Sequence, residues 1–257
     1  MIKQSNKASD KSSTKLKVKQ SETVDEPLPL KHVAIIMDGN RRWADRKHVP
    51  RLWGHKEGVQ TLKKLVKYAA KRGLEYLTVY AFSSENWQRD QEEVDYLFEL
   101  FARVLTDELQ ELHRANVRLR FIGKLDDMPS NLQQKFSDAV ELTGKNTGLN
   151  MQVALNYGSR VEITEAFKTI AEKVAKGQIK PSDITPDMVS EHLYTKELPD
   201  PDLIIRTGGE MRLSNYLLWQ AAYTELYVTN TMWPEFNDQE FDKAIKEFSN
   251  RQRRYGM

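Results

Sequence analysis

From residue 32 onward, short apolar runs alternate with longer stretches whose apolar positions return every three or four residues. The runs are His32 to Met37, Tyr76 to Phe82, Val117 to Ile122, Leu149 to Asn156, Leu203 to Arg206, Tyr216 to Ala222 and Leu226 to Thr229. Their length suits strands. The periodic stretches, near Val59 to Arg72, Val94 to Asn116, Leu132 to Thr143, Val161 to Lys176 and Asp238 to Arg253, predict helices. Strand and helix in alternation imply an α/β fold, a largely parallel central sheet flanked by helices. No internal repeat interrupts the pattern.

The amino-terminal stretch breaks from it. Residues from Met1 to about Gln20 are rich in Lys, Ser and Asn and hold no aromatic, so they cannot bury enough surface to offset chain entropy. Together with the acidic Glu22 to Glu26 patch and Pro27, they predict a disordered basic tail and linker over 1–27, followed by one folded domain over 28–257. The tail lacks the apolar centre of a signal peptide, and its lysines would be drawn only weakly to an anionic membrane surface.

Composition removes several classes of function. No stretch of the 257 residues approaches the roughly 18 consecutive apolar residues of a membrane span. The absence of cysteine excludes disulfides, thiolate zinc sites, iron–sulfur clusters and a cysteine nucleophile, and fits a cytoplasmic protein. A net charge of +2 is too small for a dedicated nucleic-acid binder, so any anion site must be built locally.

Three polar segments follow apolar runs, where an open parallel sheet gathers its ligands. The first is Met37-Asp38-Gly39-Asn40-Arg41-Arg42-Trp43. Its glycine permits close approach of backbone N–H groups to a phosphate, Asp38 suits a magnesium ion, and Arg41, Arg42 and Arg51 suit a diphosphate. The same residues also read as an Asp-Gly turn with exposed arginines. The second, Phe82-Ser83-Ser84-Glu85-Asn86-Trp87-Gln88-Arg89, offers hydroxyls, an amide and an arginine for a polar headgroup, or a helix cap with a buried Trp. The third, from Arg206 through Gly208-Gly209, Arg212 and Ser214 to Asn215, is a diphosphate clamp or a solvated loop. No P-loop, GxGxxG, GxSxG, HExxH or DDxxD motif is present.

The stretches HVAIIMDGNRRWA, GHKEG, LTVYAFSSENWQR, ALNYGSR, PDLIIRTGGEMRLSNYLLWQAAYTELY and WPEF resemble the cis-prenyltransferase family, in particular bacterial undecaprenyl diphosphate synthases, in the same order from about Leu30 to Gly256. The resemblance implies a magnesium-dependent enzyme that condenses farnesyl diphosphate with successive isopentenyl diphosphates in cis. Its product would be undecaprenyl diphosphate, the lipid carrier precursor for cell-wall synthesis. It also implies a homodimer, a fold enclosing a hydrophobic tunnel, no nucleic-acid partner, and a peripheral membrane contact for product release.

Carried over position by position, the resemblance makes Asp38 and Asn86 catalytic and gives the metal to Asp38 and Glu225. It places Gly39, Asn40, Arg41, Arg42, Trp43, Arg51, His55 and Arg89 around the allylic diphosphate. Ser83, Ser84, Glu85 and Trp87 fall in the loop that orients substrate, and Glu93 in a mobile segment beyond it. Arg206, Arg212 and Ser214 become the isopentenyl diphosphate clamp, with Arg254 of the carboxyl tail reaching a partner subunit. Asp90 stands where proline is frequent in the family, and Met211 where some members carry a metal-assisting His.

Val94, Leu97, Phe98, Phe101, Leu105, Leu109 and Leu112 follow helical spacing and form a core face by periodicity alone. The resemblance adds a tunnel wall to that reading. Two rival functions are a non-catalytic subunit that keeps this fold, against which Asp38, Arg42, Asn86, Arg206 and Arg212 stand together, and a binder of nucleotides or RNA.

Overall fold

The structure, a computed structural model, describes residues 28–251. The expected tail and linker over 1–27, and Arg254 with its neighbours, lie outside the described residues. Six strands form one sheet: β1 (His32–Ile36), β2 (Tyr76–Ser83), β3 (Arg118–Ile122), β4 (Asn150–Tyr157), β5 (Leu203–Arg206) and β6 (Glu225–Val228), in the order β3-β4-β2-β1-β5-β6. Every neighbouring pair is parallel, as the alternating sequence pattern required.

Because side chains alternate across a strand, β1 serves two cores at once. Val33 and Ile35 join the cluster under α2 (Arg51–Lys71) and α7 (Asp238–Ser249). Ala34 and Ile36 join Tyr157, Tyr216 and Leu217 on the other face. α3 (Gln91–Arg114) and α4 (Ser130–Thr143) close a third cluster around Phe82, Leu97, Leu132 and Phe136. α5 (Ser159–Ala175) puts the buried Glu162 against the Tyr157 hydroxyl at 2.5 Å. His32, sealed in the sheet, has Nδ1 2.7 Å from the Pro199 carbonyl and Nε2 2.8 Å from the Thr78 hydroxyl. A carbonyl only accepts, so Nδ1 carries a proton, and burial favours the neutral ring.

Two elements depart from the sequence reading. The run Tyr216 to Ala222 is not a strand: Ser214, Asn215 and Leu217 hold φ of 51°, 61° and 46°, and the chain then winds through a 3-10 turn, Gln220–Tyr223. Its apolar side chains are buried because they plug the sheet face from a loop. An additional helix, α1 (Asn40–Lys47), carries a single buried residue, Ala44, too little for a periodic signal. A short α6 (Pro186–Ser190) starts at Thr185, whose hydroxyl accepts the Met188 N–H.

Candidate active site

The three polar segments converge because β1, β2 and β5 are adjacent and parallel, so their carboxyl ends lie on one edge. Ile36 stands opposite both Tyr80 and Arg206. Gly39 makes the turn into α1 at φ 104°, where a Cβ would come within 3.0 Å of the Met232 Cβ. The turn leaves the first N–H groups of α1 without helical partners, a ready anion site.

Asp38 sits between two guanidinium groups. Its Oδ2 accepts from Arg206 Nη2 at 2.8 Å, and its Oδ1 lies 3.2 Å from Arg42 Nη2. Burial pushes this carboxyl up, but the Arg206 and Arg42 contacts outweigh burial and hold it below the ordinary value. The other end of Arg206 donates to Ser214 Oγ at 2.8 Å and to the Arg212 carbonyl. Among the described residues, neither the buried Arg206 Nε nor the buried Asn40 Oδ1 finds a hydrogen-bond partner. Arg42 also donates to the Gly208 carbonyl at 2.8 Å.

Three cavities open from this point. One polar pocket is walled by Asp38, Gly39, Asn40, Arg41, Arg42, Arg51, His55 and Arg89. A second takes Asp38 and Asn40 again with Tyr80, Ser83, Glu85, Asn86, Arg206, Arg212 and Ser214. The third, about 150 Å³ and almost wholly apolar, runs between α2 and α3 past Val59, Leu97, Phe101 and Leu105 over the sheet. Met37, Asn40 and His55 line all three. Of the helical stripe, Leu97, Phe101, Leu105 and Leu112 line the apolar cavity, so the core face is also its wall.

Glu93, near the start of α3, ties the mouth together. Its Oε1 accepts from Arg89 Nη1 at 2.7 Å and lies 3.1 Å from His55 Nε2, and its Oε2 is 3.8 Å from Arg41 Nη1. Burial pushes its pKa up, yet Arg89, Arg41 and His55 together leave the carboxyl below its ordinary value. For His55 burial dominates over Glu93 and moves the imidazole down, so the ring favours its neutral form. Asp90 adopts φ −55°, the angle a proline would impose, so the turn into α3 keeps a proline-like geometry.

Several expected site residues lie elsewhere. Trp43 turns out of both polar pockets and donates its indole N–H to Glu235 at 3.2 Å. Trp87 donates to Asn156 Oδ1 at 2.8 Å and meets Phe82 and Phe98 edge-on, so it braces the loop rather than lining a pocket. Ser84 bonds Glu85, which in turn accepts from Asn215 at 2.8 Å, linking the second and third segments.

Glu225, the second expected metal residue, opens β6 opposite Leu203, three residues before the Arg206 level, roughly 10 Å down the strand at about 3.3 Å per residue. There it pairs with Arg251 at 2.9 Å and cannot share a metal with Asp38 of the same subunit. Met211 is 86% exposed, and a thioether is a poor magnesium ligand.

The sequence reading passed over four supporting residues. Glu210 pairs with Arg212 at 2.6 Å and Arg42 at 3.4 Å. Thr207 donates to the Asp38 carbonyl at 2.7 Å. Tyr80 stacks on Tyr216 at 4.4 Å between ring centres, backing the Ser214 turn. Glu210 and Thr207 lie inside the third segment and were within reach of sequence reasoning. The tyrosine stack depends on a tertiary contact that no local spacing encodes.

Comparison with known proteins agrees with this geometry. The family model of the undecaprenyl diphosphate synthases matches residues 36–256. The chain belongs to this cis-prenyltransferase family. Among curated relatives, an isoprenyl transferase of Heliobacterium mobile is 48% identical over 92% of this chain and 91% of its own. The farnesyl-diphosphate-specific ditrans,polycis-undecaprenyl-diphosphate synthase of Escherichia coli K12 is 47% identical over 92% and 94%.

Among solved structures, lavandulyl diphosphate synthase from Lavandula x intermedia, in complex with dimethylallyl diphosphate, superposes with a TM-score of 0.87 at 36% identity, covering 89% of this chain and 98% of that one. A probable undecaprenyl diphosphate synthase from Campylobacter jejuni gives 0.73 at 36% identity, covering 89% and 99%.

Proposed function

We propose that this chain condenses farnesyl diphosphate with successive isopentenyl diphosphates, forming a cis double bond at each step, to make undecaprenyl diphosphate for cell-wall synthesis. The observation that carries this reading is the meeting of two arginine-lined pockets and one apolar cavity at Met37, Asn40 and His55. A reaction joining two diphosphates and a growing hydrocarbon needs that division of space.

In the first pocket, Arg41, Arg42, Arg51 and the N–H groups of α1 receive the allylic diphosphate and stabilise the charge that grows as it departs. In the second, Arg206, Arg212 and Ser214 hold the isopentenyl diphosphate so that its double bond faces the allylic carbon. Asn86, whose side-chain Oδ1 accepts the Ser83 N–H at 3.1 Å, fixes the loop that closes this pocket. The hydrocarbon enters the apolar cavity, where each five-carbon addition leaves water at about 25 cal/mol per Å².

Asp38 suits magnesium in the way that ion is commonly held, by one or two carboxylates plus substrate phosphates. Among the described residues no cluster of three or more acidic or His side chains would hold it unaided. Bound there with substrate, magnesium would act as a Lewis acid on the leaving diphosphate. Asp38 must first loosen from Arg206 and Arg42, and diphosphate oxygens are the natural replacement partners for both guanidiniums.

No described helix is long and apolar enough to cross a membrane, which accords with a cytoplasmic protein touching the membrane only at its surface. Leu226, exposed on the edge strand β6, supports the expected homodimer. Purified protein with magnesium, farnesyl diphosphate and labelled isopentenyl diphosphate should yield a long polyprenyl diphosphate. Recovery of unreacted substrates would favour a non-catalytic subunit instead.

A further inference from the structure

The apolar cavity has a charged flank in its deeper part. Near the mouth its wall is His55, Val59, Leu97 and Phe101, but two turns further along α2 and α3 it takes in Lys63, Lys67, Glu108 and Glu111. Lys63 Nζ lies 2.6 Å from Glu108 Oε1, and Lys67 Nζ lies 2.6 Å from Glu111 Oε1. Both pairs join α2 to α3. The side chains of Lys63 and Glu108 are only 26% and 19% exposed, so this pair is partly withdrawn from water.

The closed cavity is too small for its proposed cargo. Pockets for even drug-sized ligands start near 300 Å³, against about 150 Å³ here. A polyprenyl chain therefore fits only if α2 and α3 part, and the two ion pairs lie across that seam. Forcing an apolar tip between Lys63 and Glu108 would leave two desolvated charges without partners, which is far worse than leaving the pair intact. Elongation thus meets a barrier of polarity at a fixed depth.

We propose that Lys63–Glu108, backed by Lys67–Glu111, is a clasp that closes the α2–α3 seam along the deeper part of the cavity, ahead of its floor at Ala115 and Val117, and sets how many five-carbon units the product takes. The clasp matters only if the chain elongates a prenyl diphosphate as proposed above.

The test supplies farnesyl diphosphate, labelled isopentenyl diphosphate and magnesium, and reads product length by mass spectrometry. Lys63→Met with Glu108→Met keeps bulk and removes charge, and is expected to lengthen the main product by one or more five-carbon units. The exchanged pair, Lys63→Glu with Glu108→Lys, is expected to keep the wild-type length. A shift in the exchanged pair as well would make packing rather than pairing the determinant and overturn the clasp. Because the chain has no cysteine, Lys63→Cys with Glu108→Cys can be bridged by a short bis-maleimide, fixing the seam and shortening the product.

Should the methionine pair fail to fold, the bridged protein decides alone. Wild-type elongation with unchanged length in these variants overturns the clasp and leaves the functional reading standing. A wild type that elongates nothing overturns the functional reading, and the clasp falls with it.

Discussion

The guanidinium of Arg206 faces two ways: Nη2 holds the Asp38 carboxylate at 2.8 Å, and Nη1 holds the Ser214 hydroxyl at 2.8 Å. One side chain therefore ties Asp38, which lines both polar pockets, to the Ser214 turn of the second. Asp38 is kept ionised by the same group that is proposed to grip a diphosphate.

Replacing Asp38 by alanine should leave the fold intact and remove about 3 to 5 kcal/mol of transition-state stabilisation, roughly a hundredfold to several thousandfold in turnover. Steady-state kinetics beside a far-ultraviolet circular dichroism spectrum checks both halves. Near-normal turnover would remove Asp38 from the chemistry.

The pockets should separate kinetically. Arg212→Ala is expected to raise KM for isopentenyl diphosphate, and Arg42→Ala to raise KM for the allylic substrate, each by about tenfold to over a hundredfold for a lost charged hydrogen bond of about 1.5 to 3 kcal/mol. Arg206→Ala should affect isopentenyl diphosphate first and also lower kcat, since Asp38 loses its buried partner. Equal effects of all three on both substrates would contradict the division.

Gly208 has φ +80°, and a Cβ there would lie 2.7 Å from Arg42 Nη2. Gly208→Ala should strain the turn by about 1 to 3 kcal/mol and push Arg42 off Asp38. The expected readouts are a lowered melting temperature and a raised KM for the allylic substrate. A variant with wild-type kinetics would show that Arg42 acts from another position.

Burial holds the His32 pKa down to about 4 from its ordinary 6.5. The folded state then binds fewer protons than the unfolded chain between those values, so this contribution is whole above about pH 6.5 and is lost as pH falls toward 4. It amounts to about 1.4 kcal/mol per pH unit, or on the order of 3 kcal/mol in all. Urea unfolding at pH 7 and pH 5 should show the loss, and His32→Gln should flatten it. An equal slope in the variant would assign the acid sensitivity to other groups.

The legible parts of the fold were those whose burial is one-dimensional. β1, β2, β4 and β5 read as apolar runs because parallel strands are covered on both faces. α3 read as a helix because Val94, Leu97 and Leu100 are buried at helical spacing. α1 escaped because it serves the site with its charges and the core with Ala44 alone. Tyr216 and Leu217 misled because a loop with left-handed residues can bury apolar groups as fully as a strand.

Within the site, the arginines and Asp38 were readable from their place after apolar runs. The Trp43 contact with Glu235 and the level of Glu225 on β6 were not, since the direction of a side chain and its level along a strand are set by the finished sheet. Glu93 read as part of a mobile segment, and its contacts with His55 and Arg41 are tertiary, so no local spacing announced them.

The wall common to the two polar pockets, made by Asp38, Asn40, His55 and Arg89, bears on what happens between one condensation and the next. On the proposed assignment of the pockets, each condensation would leave the lengthened diphosphate in the pocket of Arg206, whereas the following cycle would need it in the pocket of Arg42. With the wall shared, the anion can shift sideways from one guanidinium to the other while its hydrocarbon stays threaded. Release to bulk water is never required at an intermediate length, so the arrangement favours processive synthesis over a ladder of short, prematurely dissociated products.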